Sequence, residues 1–151
     1  MTADDPHNLQ RFIAAQEDDY AAALAEIRSG RKRSHWMWYV FPQFEGLGAS
    51  ARSRRYAVKS VEEATAYLRH PVLGARLREC AQAVLDIDER SATDIFGSPD
   101  DMKLRSCATL FAHVSQEGSA FHHIIDKYFA GRHDERTLKL IDRARLPKER
   151  N

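Results

Sequence analysis

The sequence predicts a compact all-α single domain of about seven helices, and three observations predict it. Apolar residues recur at three- and four-residue steps over most of the chain. Capping residues stand before most of these periodic stretches. The one apolar run short enough to be a buried strand has no second convincing strand to pair with. With 151 residues, 43% hydrophobic and 30% charged, a soluble globular domain can build a real core. The domain is expected over residues 8–142, between a flexible tail over 1–7 and a charged tail over 143–151.

Leu9, Phe12, Ile13, Tyr20, Leu24 and Ile27 mark a first amphipathic helix, ended by Ser29-Gly30. Gln16 falls on its apolar face, where a polar side chain must find a partner or cost stability. The segment Ser34-His35-Trp36-Met37-Trp38-Tyr39-Val40-Phe41-Pro42-Gln43-Phe44 follows, with both tryptophans of the chain. Ser34 is placed to cap a short helix that Pro42 limits; a buried strand is the other reading of this run. Residues 42–55 read as loop, with Pro42, Gly46 and Gly48 as breakers.

Ser60-Val61-Glu62-Glu63 has capping-box spacing and predicts a helix to about Arg69. Pro71 starts the next helix, which buries Leu73, Leu77, Cys80 and Val84, and His70-Pro71-x-x-Gly74 reads as a helix–helix junction where Gly74 permits close packing. Ser91 caps a short turn that Gly97 ends. Ser98-Pro99-Asp100-Asp101 then opens a helix that carries Leu104, Ala108, Phe111 and Val114 inward, its acids at the positive end of the helix dipole. Another helix runs from about Ser119 to Ala130. A last one starts near Asp134 and covers Leu138 and Ile141.

These motifs carry a resemblance. Phe12-x-x-Ala15-Gln16, Ser34-His35-Trp36-Met37-Trp38-Tyr39-x-Phe41-Pro42-Gln43 and Gly46-Leu47-Gly48-x-Ser50 resemble the bacterial and fungal family known as domain of unknown function 1810, some members of which are labelled calpastatin. The likeness continues through Tyr67-Leu68-x-His70-Pro71-x-Leu73-Gly74-x-Arg76-Leu77, Ile95-Phe96-Gly97, Asp101-x-Lys103-Leu104-x-Ser106-x-x-Thr109-Leu110-Phe111 and Asp134-x-x-Thr137-Leu138. It implies an all-helical single domain and no established activity. Cys107 and Ala108 depart from the serine and methionine expected there, which argues against a catalytic Cys107. The order of aromatic segment, His-Pro-x-x-Gly-x-Arg and later lysine is also similar, more distantly, to helical proteins that act on ADP-ribose-type compounds.

Composition limits the function classes. The net charge of +1 provides no global field toward nucleic acid or membrane, and no apolar run is long enough to span a bilayer. Cys80 and Cys107 lack metal-ligand spacing and lie in apolar patterns, so reduced thiols in a cytoplasmic protein are expected. His113, His122, His123 and His133 match no zinc pattern, and no metal or cofactor is expected. Gly-x-Ser-x-Gly, Gly-x-Gly-x-x-Gly and the phosphate-binding loop are all absent, and no catalytic residue is assigned.

The candidate ligand-binding residues are therefore His35, Trp36, Trp38, Gln43, Lys103, Arg76 and Gln16. The tryptophans offer stacking faces, His35, Lys103 and Arg76 offer charge, and Gln16 and Gln43 orient. Core anchoring of the aromatics and a solvated face around Lys103 are the competing readings. The expected ligand is small, anionic and planar, a nucleotide or ADP-ribose-like compound, with hydrolytic or transfer chemistry left open. The alternative is a non-enzymatic protein-interaction domain. Arg31 to Arg33 with Arg52, Arg54, Arg55 and Lys59 could follow a phosphate backbone, but the net charge disfavours nucleic acid. A monomer or weak homodimer is expected.

Overall fold

The computed structural model describes residues 4–145. These residues form nine α-helices and no strand. The all-α expectation holds; the count of about seven does not. A helix the sequence hides, Ala51–Arg55, lies inside the segment read as loop, and the turn after Ser91 closes into a helix, Ala92–Phe96.

The first helix, α1 (Gln10–Arg28), begins where Asp5 accepts the backbone N–H groups of Leu9 at 2.7 Å and Gln10 at 2.9 Å. It ends at Gly30, whose φ of +82° reverses the chain at low steric cost. The short α2 (Met37–Val40) forms within the aromatic segment and stops before Pro42. Next, α3 (Ala51–Arg55) is started by Ser50, which accepts from Ser53 N at 3.1 Å. An isolated parallel bridge, Phe44 to Val58, ties the two ends of the intervening segment together.

In α4 (Val61–Arg69) Ser60 caps Glu63 N at 3.0 Å as the spacing predicts, while the Glu63 carboxylate accepts from Lys59 N rather than from the cap residue. α5 (Leu73–Leu85) starts two residues after Pro71, where the sequence expects it, and His70 Nδ1 holds the start by accepting from Val72 N at 3.1 Å and Leu73 N at 3.2 Å. A Cβ at Gly74 would lie 2.1 Å from the Leu68 carbonyl oxygen, so only glycine permits this approach of α5 to the end of α4. The chain continues through α6 (Ala92–Phe96), with a full Ser91/Asp94 capping box, and α7 (Asp100–His113). After α8 (Ala120–Phe129), Asp134 opens α9 (Glu135–Arg145) by accepting from Thr137 N at 3.0 Å.

The core lies where α7 packs on α8, α4, α6 and α9, and where α5 packs on α1, α4 and α8. Phe12, Tyr67 and Phe111 run through it as an aromatic chain, with ring centroids 5.0 and 5.4 Å apart. Each such pair adds about 0.5–1.5 kcal/mol beyond the area it buries. Of the two expected tails, residues 1–3 and 146–151 lie outside the described residues. No helix among the described residues is long and apolar enough to cross a membrane.

Candidate functional site

The aromatic segment divides its two tryptophans between different tasks. Trp36 is buried, with its ring against Phe41 and Phe96. Its indole N–H donates to Glu26 Oε1 at 2.9 Å, and the same oxygen accepts from Arg33 N at 2.7 Å and Ser34 N at 2.9 Å. The Ser34 hydroxyl donates to the other carboxylate oxygen. Partial burial alone would raise the Glu26 pKa; these four donors outweigh it and hold the carboxyl at about 2. Trp36 therefore anchors the core, with its polar edge satisfied.

Trp38 is half-buried and sits among cations. The Lys103 ammonium lies 4.9 Å from its ring centroid and the Arg52 guanidinium 5.2 Å. Lys103 pairs with Asp100 Oδ1 at 3.2 Å, and Lys32 pairs with Asp100 Oδ2 at 2.9 Å. Lys32 in turn lies 5.1 Å from the Trp36 ring and donates to the Ser34 carbonyl at 2.5 Å. A continuous ladder results: Trp36, Lys32, Asp100, Lys103, Trp38, Arg52. It joins the loop before α2 to the first turns of α7 and to α3.

The other predicted residues fall into separate places. Gln16 is fully enclosed, and its amide donates to the Tyr39 carbonyl at 2.7 Å and to the Tyr67 hydroxyl at 3.1 Å. Its Oε1 accepts from Arg76 Nη1 at 3.3 Å, and the Arg76 guanidinium covers the Tyr20 ring at 4.9 Å. Gln16 and Arg76 thus belong together, in the seam between α1 and α5. His35 has an exposed side chain, and its carbonyl accepts from the Tyr39 hydroxyl at 3.2 Å. Gln43 is half-buried, and its carbonyl accepts from Val58 N at 2.9 Å. Of the seven, the structure brings together Trp38 with Lys103, and Gln16 with Arg76.

Sequence reasoning treated Arg52 and Lys32 as members of diffuse basic clusters and Asp100 as a helix-start residue. The signal that could have placed Arg52 was Ser50, a serine three residues before another serine at the head of a charged run. Nothing in the spacing shows that Asp100 would be shared by two lysines.

The nucleophile candidates serve the fold. Cys80 and Cys107 are free and buried; burial raises the Cys80 thiol to about 12 and drives Cys107 well above its ordinary value. The Ser106 hydroxyl donates to the Met102 carbonyl at 3.1 Å and reaches Asp134 at 3.3 Å, locking α7 to the start of α9. His122 Nδ1 lies 2.7 Å from the Ser119 hydroxyl, and the His122 and His133 rings are 6.4 Å apart. Among the described residues no group of three His, Cys, Asp or Glu side chains could hold a metal ion.

With this geometry in view, the relatives are informative. The conserved hypothetical protein Rv1873 from Mycobacterium tuberculosis, whose crystal structure was determined at 1.38 Å, is 48% identical to this chain. The two superpose with a TM-score of 0.90 over 91% of this chain and 99% of that one. No curated protein matches the chain. Residues 6–141, which include every rung of the ladder and all seven candidate residues, match the family described as "Protein of unknown function (DUF1810)", and the chain belongs to that family.

Proposed function

We propose that the chain is a binding domain for a small anionic planar ligand, received by Lys103 and Arg52 beside Trp38. The observation that carries the proposal is the pair of cations flanking one half-buried indole, at 4.9 and 5.2 Å. Asp100 is a single carboxylate shared by two ammonium groups, and Arg52 makes no ion pair among the described residues. The cluster has an excess of positive charge, which a phosphate or carboxylate on the ligand would balance. A planar base or ring has the Trp38 face to pack on, a contact of about 1–3 kcal/mol for nucleobases. Nucleotides and ADP-ribose-like compounds combine the two requirements.

The remaining candidates take supporting roles in this reading. Gln16 holds the Tyr39 carbonyl, one residue from Trp38, and Arg76 holds Gln16. They are positioning residues. His35, on the exposed edge of the same segment, adds a donor to a ligand reaching beyond Trp38. Trp36, buried against Phe41 and Phe96, takes no ligand. The proposal is for binding without chemistry, because both thiols are buried and the Ser106 hydroxyl is engaged. The protein-interaction alternative has less in its favour. The exposed large hydrophobic residues among those described are Val72, before α5, and Met102, on α7. Two isolated side chains do not make an apolar docking patch.

The test is a panel of nucleotides and other phosphorylated metabolites, read by melting temperature and tryptophan fluorescence. A ligand is expected to raise the melting temperature saturably. Lys103→Gln and Arg52→Gln should each weaken it by about tenfold, the loss of one charge-assisted contact, with the unliganded melting temperature preserved. A panel that moves neither signal rejects the reading.

A further inference from the structure

A second cationic site lies where the segment before α1, the end of α3 and the start of α4 meet. A pocket of about 450 Å³ opens there, lined among others by His7, Arg54, Arg55, Lys59 and Ser60, with Arg11 and Glu63 also in its wall. Its construction separates structural charge from available charge. Arg11 is nearly enclosed, its side chain 9% exposed, and it pairs with Glu63 Oε2 at 2.6 Å. Its other N–H groups donate to the carbonyls of His7, Asn8, Arg55 and Ala57 at 2.7–2.8 Å. All five guanidinium donors are consumed, so Arg11 has nothing left for a ligand. Glu63 is consumed as well, by Arg11 and by Lys59 N.

The side chains of Arg54, Arg55 and Lys59 are in the opposite state. All three are exposed, and among the described residues none makes an ion pair. Among the described residues the one carboxylate in the pocket wall, Glu63, is already neutralised by Arg11. The Ser60 oxygen accepts from Glu63 N, and its O–H has no acceptor among the described residues. The result is a concave site with a hydroxyl donor and three cations that have no carboxylate partner among the described residues, Arg55 lying 5.6 Å from the Tyr56 ring centroid. The Arg11 network fixes it, because four of the five Arg11 contacts are to backbone or side chains of the lining residues.

We infer that this pocket binds the phosphate group of a small phosphorylated molecule. A dianion suits three cations better than a carboxylate does, and guanidinium groups match phosphate oxygens in a bidentate fork. The volume is that of a small-molecule site. A nucleic acid backbone needs a longer basic stripe than a chain of net charge +1 provides. This site is independent of the one at Trp38. Its cations come from α3 and the α3–α4 connection, and none of the ladder residues lines it.

The experiment is titration calorimetry with inorganic pyrophosphate at constant ionic strength, alongside a short single-stranded DNA. Saturable pyrophosphate binding is expected in the wild type. Arg54→Gln/Lys59→Gln should weaken it by more than about tenfold, for two lost charge-assisted contacts, without lowering the melting temperature in the absence of ligand. Lys139→Gln, an exposed cation on α9 outside both sites, should leave it unchanged. Three results would overturn the inference: no saturable binding, a double variant that binds as the wild type does, or an equal loss in Lys139→Gln. Tighter binding of the DNA than of pyrophosphate, with the same sensitivity to the double variant, would also overturn it in favour of a nucleic-acid surface. Failure here leaves the Trp38 proposal standing, since that site is read by Lys103→Gln and Arg52→Gln.

Discussion

Glu26 shows how one side chain settles a question that its neighbours in sequence leave open. Trp36 and Trp38 are two residues apart, about 200° around a helix, and so face different surroundings once α2 forms. Sequence reasoning saw one aromatic wall because it had no view of Glu26, which reaches the segment from α1, ten residues upstream of Trp36. Gln16 was more legible. A polar residue on an apolar stripe demands partners, and the structure supplies three: Tyr39, Tyr67 and Arg76. The identity of those partners was not legible, since they come from three other segments. Two predictions belong at this scale. The Glu26 carboxyl, normally near 4.5, is held at about 2 by its donors. Its folded pKa is depressed, so its contribution is present above about 4.5 and is lost as pH falls toward 2. Glu26→Gln is expected to flatten that part of the acid-unfolding curve, monitored by circular dichroism; a curve parallel to the wild type would show that the carboxylate is not stabilising. Gln16→Ala removes the bonds to the Tyr39 carbonyl and the Tyr67 hydroxyl. It should cost about 1–3 kcal/mol in urea unfolding, because those groups stay buried with only the long 3.4 Å bond from the Tyr67 hydroxyl to the Tyr39 carbonyl between them.

Elements were read well where a cap or a sustained apolar period marked them: α4 and α8 begin at the capping serines Ser60 and Ser119, while α1 and α7 were marked by periodicity, their cap residues Leu9 and Pro99 making no side-chain cap bond. The miss at α3 has a physical cause. Ala51-Arg52-Ser53-Arg54-Arg55 has no apolar residue larger than alanine, none of the five is buried, and Gly46 and Gly48 precede it. Periodicity says nothing about so short and polar a helix; only its cap does. The cost of that miss was functional, because α3 supplies Arg52 to Trp38 and Arg54 and Arg55 to the second pocket. The junction of α4 with α5 is the opposite case. His70-Pro71-x-x-Gly74 was read as a close helix–helix junction, and the 2.1 Å approach of a Gly74 Cβ to the Leu68 carbonyl explains why. The obstacle is backbone, which cannot rotate away. Gly74→Ala is therefore expected to destabilise by at least about 1–3 kcal/mol, the range for overpacking, despite alanine's higher helix propensity. A melting temperature at or above the wild type would mean that α5 can shift away from α4 without loss.

For the molecule as a whole, composition and periodicity sufficed for an all-α domain, but not for which charges would meet. Ion pairs across the fold depend on how helices dock, and a basic run looks the same whether it is solvated or gathered around a ring. Arg11 is the clearest instance. In sequence it is an ordinary charged residue at the start of a helix; in the fold it ties the N-terminal segment, the end of α3 and the start of α4 into one unit. Its pairing with Glu63 is almost completely enclosed, at 9% and 3% side-chain exposure. Removing one partner of such a pair costs more than the pair contributes, because the other charge is left buried alone. Arg11→Gln should therefore lose about 3 kcal/mol or more of stability. Glu63→Gln should lose less, since the guanidinium keeps its four carbonyl acceptors and an amide can still face it. Urea denaturation of the two variants and of Arg11→Gln/Glu63→Gln measures both the order and the coupling. The double variant should be more stable than the sum of the single losses implies, because it leaves no unpaired charge. Additive losses would show that Arg11 and Glu63 act through separate contacts and that the ion pair between them contributes nothing to holding the three segments together.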